Sequence, residues 1–129
     1  MSNLIIKYNH SDHFIKIYSE SFVNTTDFIQ VIDELSKYTA GTRNLNVLID
    51  LTDVDIDMSP KDLGSISHRL CLKVPVDFSL RIAKIVNGQI ETALAMLFMD
   101  EIKWISHIEF KIFNTKTAAL EWLNIKYEK

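Results

Sequence analysis

The chain of 129 residues is poor in the residues that usually announce chemistry. It has one cysteine, Cys71, so no disulfide can close within it, and that fits a reducing compartment. Its three glycines, Gly41, Gly64 and Gly88, stand singly, so there is no glycine-rich loop to cradle a phosphate. The longest apolar run, Ala93 to Met99, is far too short to cross a bilayer, which excludes stable membrane insertion by that route. The 14 Lys and Arg residues are scattered against 17 Asp and Glu, for a net charge of -3, so no basic footprint for nucleic acid is present. Met1-Ser2-Asn3 leads straight into strand-like sequence with no signal-peptide pattern, and a cytoplasmic location is expected.

What is present is a regular alternation of strand and helix patterns. With 47% hydrophobic and 24% charged residues, residues 1–129 are expected to form one domain around a single core. Asn3 to Tyr8 and His13 to Ser19, separated by the polar Asn9-His10-Ser11-Asp12, predict an antiparallel hairpin. Asp27 to Tyr38 carries Phe28, Val31, Ile32 and Leu35 at helical spacing, with Thr25 or Thr26 as cap and Ala40-Gly41 as stop. Ser79 to Val86 predicts a strand. Gln89 to Ile105 predicts a long helix with Ile90, Ala93, Leu94, Leu97 and Phe98 on one face, and Met96 and Met99 widen its apolar surface. His107 to Phe113 alternates as a half-covered strand, and Asn114 or Thr115 caps a last helix that packs through Ala119, Trp122 and Leu123. The expected fold class is therefore α/β: a mixed, mostly parallel sheet with an N-terminal antiparallel hairpin and four helices.

Leu45 to Gly64, L-N-V-L-I-D-L-T-D-V-D-I-D-M-S-P-K-D-L-G, organises the rest. Leu45 to Leu51 is apolar on both faces except for Asn46 and Asp50, as a central strand is. An acidic loop follows. The next helix opens at Ser59-Pro60-Lys61-Asp62, with Pro60 suited to the first helical position, and carries Leu63, Ile66 and Leu70 inward until Pro75.

These residues carry a resemblance. L-I-D-L-T-D-V, then D-M-S-P-K-D-L-G, and the closing I-F-N-T-K-T-A-A-L-E-W-L resemble the STAS-like proteins related to bacterial anti-sigma-factor antagonists, particularly their small stand-alone bacterial relatives. That fold is also compared with lipid carriers of the CRAL-TRIO type. The resemblance covers nearly the whole chain from Phe14 onward. It implies a non-enzymatic regulatory or protein-interaction module. In the antagonists an Asp-Ser-Ser-Gly segment holds a serine whose phosphorylation abolishes partner binding. Met58-Ser59-Pro60-Lys61 stands at that place here, so the resemblance makes Ser59 the possible phosphoacceptor, with Met58 and Lys61 replacing the family's Asp and Gly.

The partner-binding loop expected from this reading comprises Thr52, Asp53, Asp55, Asp57, Met58, Lys61 and Asp62. Read without the resemblance, Ser59 is an N-cap that accepts a backbone hydrogen bond. Asp53, Asp55 and Asp57 open like a calcium loop, but its sixth position is Met58 rather than Gly and its twelfth is Gly64 rather than Glu, so a solvated acidic loop is expected. The pairs His68/Cys71 and His10/His13 do not converge by spacing, and no metal or cofactor is expected; Cys71 reads as a small buried hydrophobe. An apolar helix of this girth needs a cover for its second stripe, which favours a homodimer or a ligand cleft. The alternative function is thus a small-molecule or lipid carrier with an apolar cleft at Leu70, Leu94 and Phe98. No nucleophile, base and orienter can be assembled for an enzyme.

Overall fold

The computed structural model describes residues 3–39, 41–52 and 54–125. Ala40 and Asp53 lie outside the described residues. The hairpin expected at the N-terminus forms: β1 (Ile5–Asn9) pairs antiparallel with β2 (Phe14–Tyr18). Asn9 shapes its turn, its side-chain oxygen accepting from the backbone N–H of Ser11 at 3.0 Å, and His13 closes it with a positive φ of 49°.

The chain then makes a two-residue strand, β3 (Val23–Asn24), and enters α1 (Thr25–Glu34). The cap is Asn24, not Thr25 or Thr26. Its side chain accepts from the N–H of Asp27 at 3.0 Å, and the Asp27 carboxylate accepts from the N–H of Asn24 at 2.9 Å. This reciprocal arrangement satisfies two end donors at once, which neither threonine does. The helix also ends earlier than its periodicity suggests. The N–H of Leu35 is shared between Val31 and Ile32, and a single further turn, α2 (Ser36–Thr39), follows. Gly41 takes the expected left-handed conformation, φ 77°.

β4 (Asn44–Asp50) is the central strand, followed by a second two-residue strand, β5 (Ile56–Asp57). One 3₁₀ turn, Pro60–Asp62, precedes α3 (Leu63–Lys73), so Ser59 opens a tight turn and not the α-helix itself. β6 (Ser79–Ile85), α4 (Gln89–Ile102), β7 (Ile108–Phe113) and α5 (Lys116–Leu123) complete the order. Thr115 caps α5 through the N–H of Ala118.

The large sheet runs β1-β2-β4-β6-β7, parallel from β2 onward, while β3 and β5 form a small parallel pair of their own. From β2 to β7 the order steps always in one direction. Crossovers of one hand then put every connecting helix on the same face. There α1, α3 and α4 bury the main core, which includes Ile15, Ile17, Val47, Leu80 and Ile82 from the strands and Val31, Ile66, Leu70 and Ile102 from the helices. The opposite face holds a smaller core of Phe14, Leu48, Ala83 and Ile85 under Ala119 and Leu123 of α5.

Two burial expectations are corrected. On α4 the inward line is Glu91, Leu94, Ala95, Phe98 and Ile102, whereas Ile90, Ala93 and Leu97 face solvent, Ile90 at 80% exposure. The rotation brings Glu91 over β6, where a buried lysine needs it. Cys71 is exposed on α3, because the inward line of that helix is Leu63, Ile66, Ser67 and Leu70.

Candidate functional site

The loop after β4 begins from a fixed point, since Leu51 is fully buried. The Thr52 hydroxyl donates to the Asp50 carboxylate at 2.8 Å, and the N–H of Val54 bonds to the carbonyl of Leu51 at 3.2 Å, so the chain turns sharply as it leaves the sheet. It is then stitched to the entrance of α1. Val23 pairs with Ile56 and Asn24 with Asp57, and the N–H of Val23 donates to the carbonyl of Asp55 at 2.9 Å.

A second fastening is made by one oxygen of Asp62. It accepts from the N–H of Ser59 at 3.0 Å, from the Ser59 hydroxyl at 3.2 Å and from the Thr25 hydroxyl of α1 at 3.0 Å. The Ser59 hydroxyl therefore donates to the Asp62 carboxylate within the capping box that the two residues form, Ser59 keeping the N-cap role that the sequence suggested. The donors stabilise the ionised carboxylate, so its pKa lies below the ordinary aspartate value, the Ser59 N–H contributing most and the Thr25 hydroxyl next. Of the residues assigned to this loop, Asp55, Asp57 and Lys61 are exposed, whereas Thr52, Met58, Ser59 and Asp62 are half-buried and hold it in shape. Asp53 falls outside the described residues.

No group of three or more His, Cys, Asp or Glu side chains that could hold a metal ion is found among the described residues. His13 is engaged elsewhere, its Nδ1 lying 3.2 Å from the Thr42 hydroxyl, and His68 and Cys71 both face solvent.

Behind the loop, between the sheet and α1, α3 and α4, lies an apolar cavity of about 110 Å³. The structure brings Leu70, Leu94 and Phe98 together in its wall, joined by Ile56 and Met58 from the loop. The wall also includes Lys84 of β6 and Glu91 of α4, which sequence reasoning missed. Their charged ends meet at 3.0 Å, with the side chains 10% and 15% exposed. Burial pulls the Lys84 pKa down, and the Glu91 carboxylate opposes that shift. The available signal was phase: Lys84 lies two residues after Ile82 on a strand whose neighbours are all buried, so it had to point into the core.

Two outcomes follow. Asp62 contributes stability above the unfolded aspartate pKa and loses it as pH falls through its own lowered value. A carboxyl NMR titration should find its midpoint below the ordinary one and moved upward in Thr25→Val. Glu91→Gln leaves a buried ammonium without its counter-charge and should cost ~3–5 kcal/mol in urea unfolding, while Lys84→Met combined with Glu91→Leu should cost much less.

Comparison with known proteins is consistent with this geometry. No curated protein matches the chain. An uncharacterized protein of the DUF3478 family with a SpoIIAA-like fold, from Shewanella loihica PV-4, is 26% identical, with 93% of this chain and 91% of that chain covered at a TM-score of 0.60. A chain in the complex of the diguanylate cyclase SiaD with its activator SiaC from Pseudomonas aeruginosa is 19% identical, with 87% of this chain and 93% of that chain covered at a TM-score of 0.50, a likeness of fold. A family model described as SpoIIAA-like matches residues 14–124, from the first residue of β2 to just past α5, so the chain belongs to the SpoIIAA-like family.

Proposed function

We propose that this protein is a non-enzymatic regulatory module that binds a partner protein through the Thr52–Asp62 loop and is switched by phosphorylation of Ser59. The observation that carries the reading is the Asp62 clamp, which presents Asp55, Asp57 and Lys61 outward on a loop fastened to two elements. A loop held in one shape loses little entropy on docking. A phosphate on Ser59 would bring roughly -1.5 to -2 charges against a carboxylate that now accepts its hydroxyl, expelling Asp62 and releasing Thr25. The fold shared with the SiaD–SiaC complex supports the reading, because SiaC is an activator bound to another protein. We also assign the outward stripe of α4, with Ile90, Met96 and Leu97, to a contact with a second copy of this chain.

A photo-crosslinking residue placed at Lys61 in cells that express the protein natively should capture a partner that the same residue at Lys111, on the far face, does not. Ser59→Asp should reduce that capture at least tenfold and Ser59→Ala should leave it. Equal capture at the two positions, or no phosphate on Ser59 in protein from those cells, defeats the docking and the switch respectively. In solution the mass should be twice 14.9 kDa and fall to the single value in Leu97→Asp.

A further inference from the structure

We propose that the cavity behind the Ile56–Met58 segment is a binding site for one small, uncharged apolar molecule no larger than a single aromatic ring. The chemistry of its wall sets the class. Val31 of α1, Leu70 of α3, Leu94 and Phe98 of α4, Val47 of the sheet and Met58 of the loop present aliphatic and aromatic surface from five directions. The only ionisable residues among the described lining residues are Lys84 and Glu91, and they are committed to each other at 3.0 Å. A charged ligand would have to give up its hydration without finding an unneutralised counter-charge, whereas an uncharged one meets no such cost.

Size sets the second limit. The cavity encloses about 110 Å³, while an apolar cavity of ~150 Å³ stays dry and admits benzene. A ring with at most small displacements of the wall therefore fits. A fatty acyl chain does not, since sites for drug-sized ligands run to roughly 300–1,000 Å³. This narrows the alternative read from the sequence: Leu70, Leu94 and Phe98 do line one space, but it is too small for a lipid. Met58 makes such displacements cheap, being unbranched, polarizable and half-buried. The site stands independently of whether a partner docks on the loop outside it.

The test is a titration of the full chain, labelled at Met, Leu and Val methyls, followed by carbon–proton correlation NMR. Benzene should produce saturable shifts confined to Met58, Leu70, Leu94 and the other lining methyls. Benzoate, the same ring with a charge, and laurate, an acyl chain, should bind at least tenfold more weakly. Leu70→Phe should abolish the benzene shifts; should that variant fail to fold, Ala95→Leu makes a smaller intrusion into the same space and should weaken binding several-fold. Absence of saturable shifts in the wild type overturns the site. Benzoate or laurate binding as tightly as benzene overturns the ligand class, and unchanged binding in the filled variants overturns the location.

Discussion

Everything in this fold depends on β4 being covered on both sides. Leu45 and Val47 face the main core, Leu48 faces the smaller one, and parallel neighbours bond to both edges of the strand. A strand in that position has no free backbone edge, and the face of Leu45 and Val47 is buried, so its ends are what remain for function. Because the strand order advances in one direction from β2 to β7, the helices α1, α3 and α4 are confined to one face and α5 has to cover the other. The loops at the carboxyl ends of the strands therefore gather along one edge, and the Thr52–Asp62 loop starts from the buried Leu51 with little freedom in its direction.

That loop is held by unlike interactions, each from a different direction. The β3–β5 pair supplies backbone bonds on one side, the Asp62 carboxylate supplies three accepted hydrogen bonds at the far end, and Ile56 and Met58 pack inward toward the cavity. Asp55 and Asp57 lend only their backbone to this framework, and their exposed side chains face solvent. A surface charge cluster and a structural carboxylate thus coexist within eight residues because only one of them is given donors.

The five longer strands and the mixed character of their sheet were legible because the period-2 pattern is strong in Ile108–Phe113 and the continuous apolar run is unmistakable at β4. The facing of α4 was not. A helix apolar around most of its girth has no single hydrophobic direction, so Ile90, Ala93 and Leu97 scored as well as the true inward line. What decides the rotation is Glu91, which must reach Lys84, and an ion pair between a strand and a helix leaves no trace in either period. The β3 and β5 strands were missed for a related reason: two residues are too few to carry a pattern, and their pairing is a consequence of the loop's path. The candidate loop itself could be placed from the run of acidic residues before Ser59, but the bond that fastens Asp62 to α1 could not, since its donor, Thr25, lies 37 residues away.

The buried ion pair also forms part of the cavity wall. Replacing Lys84 and Glu91 by apolar side chains would remove the tie between α4 and β6 and leave the helix held by its apolar packing, Ala95 and Ile102 being buried. The 3.0 Å contact between charged ends ties α4 to β6, while Phe98 packs edge-on against Phe110 of β7 beside it. Ion pairs are directional and apolar packing is not, so the former ties the two elements at one point and the latter fills what it can. The space left unfilled lies against the loop, through Met58 beside Ser59, so the buried Lys84–Glu91 pair and the Thr52–Asp62 loop share a wall.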